Sequence, residues 1–242
     1  MSGPADAGSH HAGSYDAGSY DTAAFDVDGT LVDTNYQHTL AWFRAFRQRD
    51  VTVPIWRIHR AIGMGGDQLV AAVAGDDVER RLGDELRDAW TVEFDKMLAE
   101  VVPFAGARDL LVAARERGFK VVLASSGQAK HTEHYLDLLD AHALIDGLTT
   151  SDDVKETKPA PDLIDAALTK VSGRRGILVG DSTWDSQAAV KAGALSYAVK
   201  TGGFSTEELE QAGGAQVYDD LPALLADIDR TALAAAEGKG QA

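Results

Sequence analysis

Short apolar segments alternate with helix-like segments from about residue 120 to residue 228 of this chain. The apolar segments predict strands at Lys120–Ala124, Leu144–Thr149, Gly176–Val179, Leu195–Val199 and Gln216–Tyr218. The other segments predict helices at Ala129–Leu139, Pro161–Val171, Trp184–Ala192, Thr206–Gln211 and Leu221–Ile228. Such alternation predicts an α/β fold in which helices cover both faces of a parallel sheet. Ligands of these sheets bind at the carboxyl ends of the strands.

An earlier apolar segment, Ala23–Phe25, predicts another buried strand and runs directly into Asp26-Val27-Asp28. Residues two apart in a strand share a side, so Asp26 and Asp28 are expected to leave the strand end together. Adjacent carboxylates repel each other unless a cation or a shared proton holds them. The pair therefore indicates a hard divalent cation, with one Asp free to attack or to move a proton. An isolated Asp-x-Asp-Gly is equally typical of an ordinary turn.

Polar residues also follow two of the other predicted strands. After Ala124 come Ser125-Ser126-Gly127, whose hydroxyl and turn amides can hold phosphate oxygens. An ordinary helix cap is the alternative at this turn. Asp181 and Asp185 follow the strand that ends at Val179, spaced so that both can reach one ion. Magnesium prefers carboxylate and water oxygens, so it suits this pair.

A lysine stands in the loop after the strand predicted at Leu144–Thr149. Lys158 is followed by Pro159 and Pro161, which stiffen the loop and limit the entropy lost in fixing the side chain. A fixed ammonium can neutralise both a nucleophilic carboxylate and a transferring phosphoryl group. Lys155 is the local competitor, but no proline follows it directly.

Residues 35–100 show no strand signal. Helices are predicted at Asn35–Arg49, Pro54–Ile62, a third segment ending at Ala74 with Asp67 as its cap, and Asp77–Ala99. Glycines at positions 63, 65 and 66 separate the second helix from the third. The segment is therefore predicted to be a compact helical insert.

Composition limits the partners and the compartment. The net charge of −15 argues against nucleic acid and anionic membranes, so an anionic substrate needs local positive charge. The absence of cysteine excludes disulfides and thiol catalysis, and with no secretory or membrane-spanning pattern it favours the cytoplasm. Residues 1–20 are of low complexity and predict a disordered tail, and residues 231–242 predict a flexible one.

Taken in order, these motifs resemble those of the haloacid dehalogenase (HAD) superfamily. The resemblance rests on Asp26-x-Asp28-Gly-Thr, Ser125, Lys158-Pro and Gly180-Asp181-x-x-x-Asp185, and it covers residues 22 to about 228. The insert is similar to the cap of the phosphoglycolate phosphatase and β-phosphoglucomutase branch. The resemblance implies a Rossmann-like core at 21–34 and 102–230, and a cap at 35–101 that closes over substrate.

The same resemblance implies a role for each motif residue. Asp26 would take the phosphoryl group as an aspartyl-phosphate, and Asp28 would act as general acid and then base. Ser125 and Lys158 would hold the phosphoryl group. Mg²⁺ would be bound by Asp26, Asp181 and the backbone carbonyl of Asp28, with Asp185 as a ligand or as support. Further substrate contacts are expected from Gly29, Thr30, Ser126, Gly127, His38, Arg57 and Arg60.

Phosphatase activity is favoured over three alternatives. The dehalogenases of this superfamily lack an acid/base Asp two residues after the nucleophile, so the presence of Asp28 disfavours dehalogenation. His38 and Trp42 match a mutase segment, but Ile62 and Gly66 stand where the mutase cap has a Lys and an Arg. A non-catalytic binding module ranks lowest because every motif residue is present. The expected substrate is a small phosphorylated metabolite, phosphoglycolate or a sugar phosphate, and the expected state is a monomer or a weak homodimer.

Overall fold

The computed structural model describes residues 19–237 and contains a six-stranded parallel sheet. The strands of this sheet are β1 (Thr22–Phe25), β4 (Lys120–Ala124), β5 (Gly147–Thr149), β6 (Gly176–Gly180), β7 (Leu195–Val199) and β8 (Gln216–Tyr218). Two short strands, β2 (Val32–Asp33) and β3 (Val102–Pro103), lie outside it. The order across the sheet is β5-β4-β1-β6-β7-β8. The central strand β1 pairs with β4 and β6, so the residues that follow these three strands meet at one edge.

The described residues also form ten α-helices. They are α1 (Asn35–Gln48), α2 (Ile55–His59), α3 (Gly66–Ala74), α4 (Asp76–Asp95), α5 (Ala107–Glu116), α6 (Ala129–Leu139), α7 (Asp162–Lys170), α8 (Thr183–Lys191), α9 (Thr206–Gln211) and α10 (Leu221–Asp227). Within residues 19–237, no helix combines the length and the apolar character needed to cross a bilayer.

Both faces of the sheet are buried, which explains why its strands are continuously apolar. Phe25 and Leu123 belong to one hydrophobic cluster, which continues into the helical insert. Ala24 and Val122 point to the other face and pack with residues of α7 and α8. Because successive side chains of a strand alternate between faces, β1 contributes to the hydrophobic core on both faces of the sheet, and Asp26 follows at its carboxyl end.

The helices α1 to α4 form the insert, which we call the cap. α1 packs along α4, and the rings of Trp42 and Trp90 stack at a centroid distance of 5.5 Å. The two chain crossings between cap and core pair with each other as the antiparallel strands β2 and β3. The two crossings are therefore held together by the pairing of Val32 with Pro103 and of Asp33 with Val102.

The predicted α/β class with a parallel sheet is confirmed, and two local predictions are wrong. The strand predicted from Leu144 begins only at Gly147, because the Asp146 carboxylate accepts the Val121 N–H at 2.8 Å. Helix α3 begins with Gly65 at its N-cap, and Asp67 lies in the first turn with its carboxylate directed to the core.

The structure describes part of the predicted C-terminal tail but almost none of the predicted N-terminal one. Residues 1–18 and 238–242 lie outside the described residues. The prediction of a flexible segment from residue 231 is wrong for residues 231–237, because Ala232 and Leu233 are buried in the main cluster. Backbone hydrogen bonds from Ala236 to Arg117 and from Glu237 to Tyr20 fasten this segment to the core.

Candidate active site

Three carboxylates meet at the edge where β1 and β6 end. Asp26 follows β1 and Asp181 follows β6, while Asp185 comes from the first turn of α8. All three are buried, and each offers an oxygen that lies within 4.8 Å of the others. The neighbouring positions of β1 and β6 in the sheet are the cause of this cluster.

Lys158 joins two of these carboxylates. Its fully buried ammonium contacts Asp26 and lies 2.7 Å from Oδ1 of Asp185. Burial disfavours the charged lysine, but the charges of Asp185 and Asp26 outweigh burial and raise the pKa of Lys158. One ammonium among three carboxylates leaves the cluster short of positive charge.

This shortage of positive charge raises the pKa values of two of the carboxylates. Burial raises the pKa of Asp26 well above its usual range, and the charges of Asp185 and Asp181 add to this although Lys158 opposes it. Burial, followed by the charge of Asp185, raises the pKa of Asp181 to about 7. A cation bound between these groups would remove the cost of keeping them ionised.

Neutral donors orient Asp181. The Thr30 hydroxyl donates to its Oδ1 at 3.1 Å, and the Asn35 amide donates to its Oδ2 at 2.9 Å. Gly29 lies directly against both Asp181 and Asn35 with a φ of +82°, so a side chain there would clash as well as strain the backbone. This close packing explains why a glycine follows Asp28.

Asp185 has two functions. Its Oδ2 accepts from the backbone N–H of Ser182 at 3.0 Å, and the Ser182 hydroxyl in turn accepts from the backbone N–H of Asp185. This capping box starts α8. Oδ1 remains directed at Lys158, so one side chain both caps α8 and pairs with the buried ammonium.

Asp28 lies in a separate network that faces the cap. Its Oδ1 accepts from the Thr34 hydroxyl at 2.9 Å and lies 2.8 Å from Nε2 of His38, while Ser125 Oγ is 3.4 Å from Oδ2. Burial by itself would raise the pKa of Asp28, but His38 and the Thr34 hydrogen bond hold it below its usual range. The network connects an acid/base candidate to the first residues of the cap.

The turn after β4 lies beside Asp28. Ser125 Oγ accepts the Gly127 N–H at 2.9 Å, and a Cβ on Gly127 would lie 3.2 Å from the Asp28 carboxylate. The Ser126 hydroxyl donates to the Gly63 carbonyl of the cap at 3.3 Å. The structure thus brings the predicted phosphate-binding turn to the same edge as Asp26.

A cavity of about 210 Å³ lies between this edge and the cap. Asp26, Asp28, Ser126 and Gly127 line it from the core. The cap contributes His38, Trp42, Ile62, Met64, Arg87 and Trp90, among others. Any ligand at Asp26 is therefore enclosed by aromatic and aliphatic side chains on its other side.

Arg57 and Arg60, predicted to bind substrate, do not line this cavity. Arg57 is exposed on α2. Arg60 forms an ion pair with Glu208 of α9 and stacks its guanidinium 4.0 Å from the Phe204 ring. Their predicted role is therefore corrected: α2 turns these cations away from the cavity, and Arg60 fastens the cap to the core.

Sequence reasoning missed Asn35, Asp67, Arg87 and Thr157. Asn35 stands directly after the Asp33-Thr34 pair, but nothing in the chain predicts that its amide reaches Asp181. Asp67 and Arg87 belong to different cap helices, and their contacts with the core or the cavity depend on how the cap sits. Thr157 directly precedes Lys158, and this adjacency was the one available signal.

Comparison with known proteins identifies the family. The model of the haloacid dehalogenase-like hydrolases matches residues 23–199. The chain belongs to this family. The predicted class, a HAD hydrolase, is therefore confirmed, and the motif residues described above fall within the matched range.

Individual HAD relatives are distant. Validoxylamine A 7'-phosphate phosphatase from Streptomyces hygroscopicus subsp. limoneus is 26% identical over 189 residues, 72% of this chain and 83% of that protein. Phosphoglycolate phosphatase from Colwellia psychrerythraea is 26% identical over 214 residues, 84% of this chain and 95% of that protein. The crystal structure of a hydrolase from Pseudomonas syringae is 30% identical, with a TM-score of 0.81 covering 86% and 98% of the two chains.

The residues of this HAD site fit a hard divalent cation. Three buried carboxylates and one ammonium carry a net charge of −2 when all are ionised. The donors are carboxylate oxygens, which Mg²⁺ prefers over nitrogen or sulfur ligands. Asp26, Asp181 and Asp185 are the residues that would hold it.

Proposed function

We propose that this protein is a phosphatase that hydrolyses a small phosphate monoester through an aspartyl-phosphate on Asp26. One observation carries the proposal: Asp26, paired with Lys158, lines the floor of an enclosed cavity that Asp28 also lines. A nucleophilic carboxylate, its counter-cation and an independent acid/base group are thus within one site.

In the first step, an Asp26 oxygen attacks phosphorus and the bond to the ester oxygen breaks. Asp28 donates its proton to that leaving oxygen. In the second step, Asp28 takes a proton from a water that attacks the aspartyl-phosphate, which releases inorganic phosphate and restores Asp26. The negative charge of an arriving phosphate raises the pKa of the neighbouring Asp28, which supports its protonated role in the first step.

Charge stabilisation explains how a protein of net charge −15 binds a phosphate ester. Mg²⁺ held by Asp26, Asp181 and Asp185 would neutralise charge on the phosphoryl group and align it for attack. Lys158 supplies a fixed ammonium at Asp26, and the Ser125 hydroxyl lies 3.4 Å from Oδ2 of Asp28. The local site is therefore suited to an anion although the whole chain is acidic.

The cap supports hydrolysis better than mutase chemistry. A mutase must hold a second phosphate, and Arg87 is the arginine that the cap offers to the cavity. Its guanidinium is already bound to Glu79 and Asp84. A purely binding role is disfavoured because the Lys158 ammonium contacts Asp26, and Asp28 lines the same cavity as Asp26.

The proposal extends to the substrate, the cellular location and the oligomeric state. Relatives named as phosphatases of validoxylamine A 7'-phosphate and of phosphoglycolate support a small phosphorylated metabolite, phosphoglycolate or a sugar phosphate, as the substrate. The absence of cysteine suits a reducing compartment, which supports a cytoplasmic location. The oligomeric state that we expect is a monomer or a weak homodimer.

The test is phosphate release from phosphoglycolate, hexose 1- and 6-phosphates and 4-nitrophenyl phosphate, with and without Mg²⁺. We expect Mg²⁺-dependent release that disappears in Asp26→Asn, which removes the nucleophile at nearly constant volume. Asp88→Asn, on an exposed face of α4, is the matched control and should retain turnover. Interconversion of hexose phosphates without release would instead identify a mutase, and inactivity in both assays would indicate a binding module.

A further inference from the structure

The part of the cavity that faces away from Asp26 must receive the leaving group of the ester. This inference rests on the proposed phosphatase function, which fixes the phosphoryl group at Asp26. The opposite wall is largely apolar and consists of Trp42, Ile62, Met64 and Trp90 of the cap and Val154 of the core. The charges around this wall determine which leaving groups it can accept.

Arg87 offers this wall no free positive charge. One of its terminal nitrogens lies 2.9 Å from both Glu79 and Asp84, and the other donates to the Gly66 carbonyl at 3.0 Å. Two carboxylates thus surround one guanidinium. An anionic leaving group would have to displace one of them or approach their negative charge.

The N-terminus of α3 also borders the cavity, through Gly65 and Gly66. Asp67, in the first turn, places a carboxylate against the partial positive charge of this helix end. The Gly65 N–H is already donated to the Thr157 hydroxyl at 3.0 Å. This helix end is therefore occupied by groups of the protein itself.

Lys155 is the remaining cation that lines the cavity. It is exposed on the loop before Lys158, and no ion pair or hydrogen bond of its side chain occurs within residues 19–237. An exposed lysine is normally hydrated and contributes little to a fixed site. The uncharged polar side chains of Ser126, Gln128 and Ser151 line the same cavity and suit hydroxyl groups.

We propose that the leaving group of the preferred substrate is uncharged: a hydroxyl-bearing ring or chain with an apolar face, without a second phosphate or a carboxylate. Apolar parts of such a group pack on Trp42, Met64 and Trp90, and its hydroxyls reach the neutral polar side chains. A second anion gains no unpaired cation from the cap, because Arg87 is already paired with Glu79 and Asp84, and it meets Asp67, which lines the cavity.

The test compares esters that differ in leaving-group charge. Glucose 6-phosphate is paired with 6-phosphogluconate, and phenyl phosphate with 4-carboxyphenyl phosphate, all with Mg²⁺. We expect kcat/KM to be at least about tenfold higher for the neutral member of each pair. A carboxylate-bearing ester that is hydrolysed as well as its neutral partner, or phosphoglycolate as the best substrate, would overturn the inference.

Three variants distinguish the contribution of the apolar wall from that of the exposed lysine. Met64→Lys adds a cation to the apolar wall and should narrow the preference for neutral esters at least threefold, whereas Met64→Gln, of similar length, should not. Lys155→Ala should leave every kcat/KM ratio unchanged. A selective loss of anionic esters in Lys155→Ala would show that Lys155 binds a second anion, against the proposal. Absence of phosphate release from all esters would contradict the phosphatase function itself.

Discussion

Asp67 of the cap accepts hydrogen bonds from both the backbone N–H and the hydroxyl of Thr157, the residue before Lys158. The same hydroxyl accepts the Gly65 N–H at 3.0 Å. One side chain thus connects the start of α3 to the loop that carries the Lys158 ammonium. Seating of the cap and positioning of Lys158 are therefore coupled.

Thr157→Val removes this hydroxyl at nearly constant volume. It leaves the Gly65 N–H without its acceptor and removes one charged hydrogen bond, a loss of roughly 1.5–3 kcal/mol. We expect kcat/KM to fall about tenfold or more for every ester alike, because closure is affected rather than recognition. Steady-state kinetics on two esters measure this.

The control for that experiment is Thr169→Val, which removes an exposed hydroxyl bonded to the Asp165 carbonyl in α7. It should change kcat/KM less than twofold. If Thr157→Val behaves like Thr169→Val, the contact with Asp67 does not govern closure.

Removal of Asp181 should have opposite effects in the absence and presence of magnesium. Asp181→Asn deletes one of the repelling buried carboxylates, and the Thr30 hydroxyl can accept a hydrogen bond from the new amide. In EDTA we expect the variant to be more stable than the wild type by about 1 kcal/mol, or several degrees in Tm. Millimolar Mg²⁺ should raise the Tm of the wild type but not that of the variant.

Measurement of Tm by thermal unfolding in EDTA and in millimolar Mg²⁺ tests this directly. The control is Asp88→Asn, at an exposed position of α4. That control should keep the wild-type response to Mg²⁺. An equal response in Asp181→Asn would mean that the ion binds elsewhere or without this carboxylate.

The strand ends were predictable from sequence because parallel strands deliver their following residues to one edge. Asp26, Ser125 and Asp181 each follow a strand that the apolar pattern identifies, so their meeting required only the sheet. The position of Lys158 was predictable because its loop follows another of these strands and a proline comes directly after it. The placement of the carboxylate cluster and its lysine therefore depends mainly on local signals.

The cap side of the cavity could not be predicted in the same way. Arg60 directly follows α2 and Arg87 lies in α4, yet Arg60 contacts Glu208 and Arg87 borders the cavity. Their positions depend on the rotation of each helix and on long-range ion pairs. The order at residues 231–237 has a similar origin, since Leu233 is buried by packing that no local pattern encodes.

Asp28→Asn should separate the two chemical steps. Both steps need a proton transfer, but 4-nitrophenolate is a good leaving group and needs little help in the first step. We expect a burst of one equivalent of 4-nitrophenolate, followed by turnover slowed by about 10²–10⁴-fold because no base activates water. Rapid-quench or stopped-flow measurement with 4-nitrophenyl phosphate resolves the burst.

With glucose 6-phosphate, the same variant should show no burst, because the alkoxide leaving group needs the proton from Asp28. Asp33→Asn, an exposed change in β2, is the control and should retain wild-type kinetics. Linear, wild-type turnover in Asp28→Asn would assign the acid/base role to another group.

His131 should make stability depend on pH. Its Nε2 lies 2.8 Å from Asp95 of the cap, and the ring packs edge-on against Trp90 and Phe94. Burial lowers the pKa of His131; the charges of Lys130 and His38 lower it further, although the Asp95 hydrogen bond and Asp28 oppose them. The unfolded chain therefore binds the proton more readily than the folded one.

The stability that His131 contributes is consequently complete above its unfolded pKa of about 6.5 and is lost as the pH falls through the lower, folded value. His131→Gln retains a donor for Asp95 but cannot titrate. We expect the free energy of unfolding in urea to fall more between pH 7.5 and 5.5 in the wild type than in His131→Gln. The buried carboxylates Asp26 and Asp181 titrate in both proteins, so their contribution cancels in the comparison. His142→Gln, at an exposed site, should follow the wild type, and an identical pH dependence in all three proteins would remove His131 as the titrating group.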